Sequence, residues 1–223
     1  MERIILSFLI VFSLLSVKAQ NLDGEILPSD RNHWTLTVAY DAAIPGKWKL
    51  DNGSVKMFKP GSGISVGTDY MLLISNNFFF EPGARFFIGN YRYENITIGN
   101  SSPEELLNVY GPPVRKIGFR IPLTMGYKFD IVKKGSLFLS TGPEPIIGLS
   151  ARTKFDEDQT EIFEENMYEK LMRRFDVAWD IRAAIIIDCF RVDVTGAIGM
   201  LDIIKTDVRM HEYRVSIGLG YVF

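Results

Sequence analysis

The chain has 223 residues, with 25 basic against 27 acidic side chains, a formal net charge of −2 and a single cysteine. Its basic residues are scattered rather than grouped, which argues against a nucleic-acid partner, and the lone Cys189 excludes an internal disulfide and a cysteine-based metal knuckle. Because no linker or low-complexity tract divides the sequence, we expect one main domain.

The N-terminus has the three parts of a secretory signal peptide. Glu2 and Arg3 precede an apolar run over residues 4–15, and a small-residue site follows, with cleavage expected after Ala19. The apolar run is shorter than the ~20 residues of a membrane-spanning helix. The sequence therefore predicts a signal peptide over residues 1–19, an N-terminal periplasmic extension over 20–32 and a folded domain over 33–223.

Apolar and polar residues alternate in about eight stretches after the signal peptide, which is the pattern of β-strands with one apolar and one polar face. The clearest stretch covers residues 117–129 and is longer than the ~9–11 residues of a membrane-crossing strand. Pro122 lies inside it and has no N–H to donate, so we expect a bulge or a missing hydrogen bond there. The predicted strands cover residues 34–41, 64–74, 78–91, 117–129, 135–147, 175–187, 190–200 and 213–223.

The connections between these strands alternate between short and long. Short turns are predicted at residues 75–77, 132–135 and 188–189, and long loops at 42–62, 92–115, 148–173 and 201–208. A barrel with an even number of strands and both termini in the periplasm requires this order, with long loops outside and tight turns inside.

Two of the long loops carry helical signals. Residues 102–105 form a capping-box pattern with a proline at the first helical position. In the third loop Phe163, Met167 and Leu171 recur at a spacing of four within the charged segment 156–174, which predicts a short amphipathic helix. Such a helix either lies over the barrel mouth or packs as a solvated helix against the neighbouring loops.

Alternation alone does not decide whether the apolar faces line a soluble barrel or meet lipid. The polar faces are rich in glycine, which leaves room for long charged side chains inside a narrow barrel. Aromatic residues near the strand ends on the apolar faces match a membrane-interface girdle. They are Trp34, Tyr40, Phe80, Tyr127, Phe129, Phe175, Tyr213, Tyr221 and Phe223. We therefore predict an all-β fold, a closed antiparallel up-and-down transmembrane β-barrel of about eight strands.

The polar faces carry charges of both signs. Because buried charges need partners, we expect them to form a network of ion pairs in the lumen. Met71 and Phe87 fall on the same faces and would help to fill the tube. The predicted lumen charges are Asp69, Glu81, Arg85, Arg120, Lys128, Asp176, Asp180, Arg182, Arg191, Asp193 and Arg214.

Several short patterns resemble the outer-membrane β-barrel family of Bacteroidetes, which includes the PorT-like proteins. They are the Ala19-Gln20 end of the signal peptide, Phe79-Phe80-Glu81-Pro82-Gly83, Ile121-Pro122-Leu123 before Tyr127-Lys128-Phe129, Gly142-Pro143, and the terminal segment 218–223. The resemblance covers residues 34–223. It implies that Tyr221 and Phe223 form the C-terminal signal read by the barrel-assembly machinery.

The sequence offers little material for catalysis or metal binding. The only histidines are His33 and His211, and neither belongs to an evident carboxylate and cysteine set. His211 with Glu212 and either Asp202 or Asp207 is the only catalytic grouping that can be assembled. We expect no enzyme activity, no metal and no cofactor.

We expect a non-enzymatic outer-membrane barrel that acts through its extracellular loops, with a structural, binding or assembly and secretion-support role. The alternatives are a narrow pore for small solutes and a soluble periplasmic lipocalin-like barrel that binds a ligand. The expected partners are outer-membrane lipid, the barrel-assembly machinery and an envelope or secretion complex.

Overall fold

The computed structural model describes residues 31–50, 53–56, 58–75, 77–93, 96–98, 107–109, 113–132, 135–157, 161–205 and 209–223. The predicted signal peptide and the capping-box segment 102–105 lie outside these residues. Among the described residues, no helix combines the length and the apolar character needed to span a bilayer.

Antiparallel strands make up nearly all of the described chain. Only one four-residue helix, α1 (Met167–Lys170), interrupts them in the described part. The strands are β1 (His33–Pro45), β2 (Trp48–Leu50), β3 (Gly53–Val55), β4 (Phe58–Leu73), β5 (Phe78–Tyr93), β6 (Ile96–Ile98), β7 (Leu107–Val109), β8 (Pro113–Arg120), β9 (Leu123–Val132), β10 (Gly135–Glu157), β11 (Glu161–Asn166), β12 (Phe175–Ile187), β13 (Phe190–Gly199) and β14 (Glu212–Val222).

The main sheet closes on itself. Its hydrogen-bonded order runs β10, β12, β13, β14, β1, β4 and β5, and both β8 and β9 then join β5 back to β10. Because β8 and β9 are two segments of one barrel strand and β11 extends from β10 outside the ring, the barrel has eight strands. Closure leaves no free edge around the ring, and the closed antiparallel barrel expected from the sequence is confirmed.

Pro122 explains why one barrel strand is split. The ladder stops at Ile121 and Pro122, where the Ile121 N–H donates to the Pro145 carbonyl at 2.9 Å and the Pro122 carbonyl accepts from the Gly83 N–H at 2.9 Å. The proline itself cannot donate. The interruption expected from the sequence is therefore present, and neighbouring backbone groups are bonded around it.

The short turns lie together at one end of the barrel, called here the short-turn end, and the long connections lie at the opposite loop end. The turn between β12 and β13 is closed by Asp188 and Cys189, and Asp188 has a φ of 53°. Aspartate tolerates this left-handed conformation better than most residues. The Cys189 carbonyl also accepts from the Val222 N–H at 2.8 Å, which ties this turn to the last strand.

The strands extend further at the loop end than the sequence predicted. β4 begins at Phe58, β1 ends at Pro45, and β10 continues to Glu157. The predicted loops 42–62, 92–115 and 148–173 were therefore too long. In these extensions apolar and polar residues no longer alternate regularly, since Phe58 and Ala151 are buried inward and Ile44 is exposed outward, so the local pattern did not mark them.

The amphipathic helix predicted for the third loop is wrong. Residues 161–166 form β11, which pairs with β10 as a hairpin, and only Met167–Lys170 is helical. Asn166 caps this turn by accepting from the Tyr168 N–H at 3.2 Å. Hairpin pairing with β10 satisfies the backbone of residues 161–166, and this pairing overrides the helical spacing of the apolar residues.

Candidate functional site

The centre of the barrel holds a layer of buried charged side chains, called here the charged layer. Successive residues of a strand point to opposite faces, so every second residue reaches the interior. Each of the eight barrel strands contributes to the layer. Its members are Asp41 (β1), Asp69 (β4), Glu81 and Arg85 (β5), Arg120 (β8), Glu144 (β10), Asp180 and Arg182 (β12), Arg191 and Asp193 (β13), and Arg214 (β14).

The half of the charged layer nearer the short-turn end is centred on Glu81 and Asp69. Glu81 binds Arg191 and lies 3.6 Å from the Arg182 guanidinium. Asp69 accepts from Arg85 at 2.6 Å. Each acid therefore has a close guanidinium partner in a place that water barely reaches.

The half nearer the loop end is built on Asp41 and Glu144. Asp41 accepts from Arg120 at 2.7 Å and from the Ser216 hydroxyl at 2.6 Å. Glu144 lies 2.7 Å from Arg214. Asp180 joins the two halves, because its oxygens lie 3.5 Å from Arg214 and 4.0 Å from Arg182.

Nine of the eleven predicted lumen charges belong to this layer, and all eleven are buried. The other two lie elsewhere. Lys128 pairs with the exposed Asp130 at 3.1 Å near the short-turn end, and Asp176 accepts from the Val177 N–H at 2.7 Å near the loop end.

Two members of the charged layer, Asp41 and Glu144, were not predicted from the sequence. Asp41 is the last residue of a predicted strand and continues the inward series of Thr35 and Thr37, so a signal for it was present. Glu144 stands between Pro143 and Pro145 in the least regular predicted strand, which concealed its inward position.

Apolar side chains close the loop end above the charged layer. This loop-end cluster joins inward residues of the barrel strands to residues from α1 and from the third and fourth loops. The Tyr91 hydroxyl donates to the Met172 sulfur at 3.3 Å, so the strand and loop parts are in direct contact. The members are Phe58, Tyr91, Val114, Ala151, Met167, Tyr168, Met172, Ile203, Ile204 and Met210.

An ion pair supports the loop-end cluster from below. Lys116 donates to Glu212 at 2.6 Å, and its ammonium lies 5.4 Å from the centre of the Tyr91 ring. Burial raises the pKa of the Tyr168 hydroxyl. Two spaces of about 20 Å³ each lie beside Lys116 and Glu212, and each has the size of about one water molecule.

A second apolar cluster closes the interior at the short-turn end. It consists of Met71, Phe79, Phe138, Ala184, Ile186 and Val222, with Leu73 packed against it. The Phe79 and Phe138 rings meet edge to face, with centroids 5.4 Å apart. Phe87 fills space between the charged layer and the loop end, and its ring lies 4.2 Å from the Arg120 guanidinium.

Most of the predicted aromatic girdle is exposed at the barrel surface, but Tyr221 is not. Its side chain is only 2% exposed, because the rings of Phe190 and Phe223 cover it at centroid distances of 6.0 and 5.2 Å. Phe223 remains exposed. Alternation places Tyr221 correctly on the outward side, but it does not show that the two neighbouring aromatic rings bury it.

The grouping around His211 lacks the geometry of a catalytic site. His211 lies 3.6 Å from Asp202, and its other ring nitrogen is 3.1 Å from the Leu201 carbonyl. Glu212 is engaged by Lys116, and Asp207 lies outside the described residues. No group of three metal-ligating side chains occurs in the described segments.

Searches for similar proteins find solved barrel structures of low sequence identity. OprG, an outer membrane protein from Pseudomonas aeruginosa, is 12% identical with a TM-score of 0.46, over 87% of this chain and 97% of that one. Neisserial surface protein A is 11% identical with a TM-score of 0.43, over 85% and 97%. Ail, the attachment invasion locus protein of Yersinia pestis, is 16% identical with a TM-score of 0.39, over 86% and 99%. No family model matches the sequence, and no curated protein does.

Proposed function

We propose that the chain is an integral outer-membrane barrel with a sealed interior, which acts through its loop end and not as a pore or an enzyme. The first support is its surface, where large apolar side chains cover the outside of the ring. Examples from several strands are Trp34, Val38, Ile64, Phe78, Phe119, Met125, Leu139, Trp179, Ile181, Val192, Val194, Ile217 and Leu219. Exposed apolar side chains are unfavourable in water and favourable in hydrocarbon. A closed ring can also lie in hydrocarbon, because its backbone N–H and C=O groups bond to one another.

The inside-out polarity favours a membrane barrel over a soluble ligand-binding one. In a soluble barrel the apolar face encloses the ligand and the charged face meets water. Here Ile181 and Ile217 are 59% and 56% exposed, whereas Asp180 and Arg214 are buried.

The distribution of the connections supports the orientation. Both the short turns and the C-terminus lie at one end, as in outer-membrane barrels whose short turns face the periplasm. The loop end then faces the cell exterior. The predicted signal peptide over residues 1–19 would direct export.

The proposed role at the loop end depends on one feature: side chains close the interior of the barrel along its whole length. The loop-end cluster, the charged layer and the short-turn cluster follow one another along the axis. An eight-stranded barrel is just wide enough for its own side chains. A solute could pass only if buried ion pairs separated, so binding or structural roles at the loop end fit better than transport.

Two finer parts of the proposal rest on the family resemblance. The PorT-like patterns point to assembly or secretion support in a complex of the envelope, and the last strand points to recognition by the barrel-assembly machinery. Phe223 is exposed, and its ring meets the Tyr221 ring edge to face. The two rings thus form one aromatic unit at the end of β14.

The sealed interior is tested by single-channel recording in planar lipid bilayers. We expect no stable conductance from protein whose folding is verified by heat-modifiable gel migration. A stable open channel in verified folded protein would contradict the proposal and favour the pore. Alkaline carbonate extraction of cell membranes provides the second test, because a soluble barrel would be released whereas an integral one would stay in the pellet.

A further inference from the structure

The outward face of β5, β8 and β10 changes abruptly from apolar to basic toward the loop end. Ile88 pairs with Ile117. At the next outward-facing pair, two residues further along, Asn90 lies opposite Arg115. Arg115 in turn lies opposite Arg152 on β10. Asn90, Arg115 and Arg152 therefore form one polar row across three neighbouring strands, directly beyond the apolar belt.

A groove of about 800 Å³ runs along this part of the outer surface. Ile64, Ile88 and Ile117 form its apolar part, and Arg115 and Arg152 stand at its polar end. The groove is open because small residues line it, among them Ser62, Gly63, Gly89 and Ser150. No acidic side chain lines it among the described residues.

The row differs from the outward faces of four other barrel strands near the loop end. Their outward residues there are Ile44 on β1, Phe175 on β12, Ile198 on β13 and Tyr213 on β14, and all four are exposed. Arg92 on β5 adds a further exposed cation near the row.

We propose that this groove binds a phosphate-bearing lipid of the outer leaflet, and the proposal rests on the membrane location proposed above. The phosphate lies against Arg115 and Arg152, with Asn90 beside it, and an acyl chain lies along Ile64, Ile88 and Ile117. Guanidinium groups bind phosphate through paired N–H donors. The boundary of the apolar belt is also the depth at which lipid phosphates meet a barrel.

The test is native mass spectrometry of the folded full-length protein in non-ionic detergent, with diphosphorylated lipid A as the probe. Wild-type protein should retain lipid A, and Arg115→Gln should lower its retention about tenfold, the effect of losing one charged hydrogen bond. Arg152→Gln should act in the same direction. Arg209→Gln is the matched control, because Arg209 is an exposed cation of the fourth loop outside the groove, and its retention should equal that of wild type.

Two further arms identify the source of the phosphate. Wild-type protein should retain dephosphorylated lipid A as weakly as the Arg115→Gln variant retains lipid A. Equimolar inorganic phosphate should not displace lipid A from wild-type protein. The inference is overturned by any of three results. These are equal retention of lipid A by Arg115→Gln and Arg209→Gln, equal retention of phosphorylated and dephosphorylated lipid A by wild-type protein, and displacement of lipid A by inorganic phosphate. Carbonate extraction distinguishes failure of the lipid site from failure of the proposed function. A protein that stays in the membrane but does not select lipid A contradicts the lipid site alone.

Discussion

At the scale of single residues, the interior depends on charges whose partners come from distant parts of the chain. Glu144 is fully buried and lies between two arginines, 2.7 Å from Arg214 and 4.0 Å from Arg120. A buried ion pair contributes little over a well-packed apolar pair, but the loss of one partner leaves an uncompensated charge. The charged layer is therefore sensitive to single neutralising substitutions.

Glu144→Gln keeps the size of the side chain and removes its charge. We expect it to lower the free energy of unfolding by about 3–5 kcal/mol, because Arg120 and Arg214 lose their shared carboxylate. Glu169→Gln is the control, since it is the same change at an exposed position on α1 and should alter the free energy of unfolding by at most about 1 kcal/mol. The measurement is equilibrium unfolding in urea, followed by tryptophan fluorescence in lipid vesicles. Similar losses for the two variants would show that the network is not a stabilising unit.

At the scale of elements, close approach between neighbouring strands and side chains fixes where small residues must stand. A Cβ atom at Gly126 on β9 would lie 2.1 Å from the Leu139 carbonyl oxygen and 2.8 Å from the Phe79 ring. At Gly196 on β13, in contrast, nothing lies within 4 Å of the added atom. The two glycines look alike in the sequence, yet only the first is required by its surroundings.

The pair Gly126→Ala and Gly196→Ala tests this difference. Gly126→Ala should destabilise the barrel by about 1–3 kcal/mol, because β9 must shift away from β10 and Phe79. Gly196→Ala should be neutral or stabilise it by up to about 1 kcal/mol, because alanine restricts the unfolded chain. The temperature at which the folded band disappears in heat-modifiable migration ranks the variants. A Gly126→Ala variant as stable as wild type would mean that the strands are not packed this closely.

At the scale of the whole molecule, one property organises the fold: the apolar side is outside and the charged side is inside. The ring pairs the backbone groups, an apolar belt covers the outside, and the interior is filled from one end to the other by two apolar clusters and the charged layer. The same inversion separates this barrel from a soluble one with equal strand number.

Ile217→Arg tests the environment of the belt. Ile217 lies in the middle of β14 on the outward face, so the substitution should cost about 2–4 kcal/mol of unfolding free energy in lipid vesicles. Ile44→Arg, at the loop end of β1, should cost at most about 1 kcal/mol, because a charge near the interface reaches water. Unfolding in urea measures both. If the central arginine is no more costly than the peripheral one, the belt does not face hydrocarbon.

The sequence by itself determined the eight barrel strands, the face of most side chains in the regular strands and nine members of the charged layer. Alternation is a local property, and a period of two assigns every residue of a regular strand to one side. It failed beyond the apolar belt, as in β11, where the apolar residues Ile162 and Phe163 are adjacent in the sequence and leave no alternating pattern. The local helical spacing of Met167 and Leu171 then misled the prediction for the third loop.

Only the tertiary structure decided which charges meet, how both ends are sealed and where the basic groove forms. Arg191 and Glu81 are 110 residues apart in the chain, and Asn90, Arg115 and Arg152 come from three separate strands. Local sequence does not encode such neighbours. They follow from strand register and ring closure, which bring distant residues across the lumen or side by side on the outer wall.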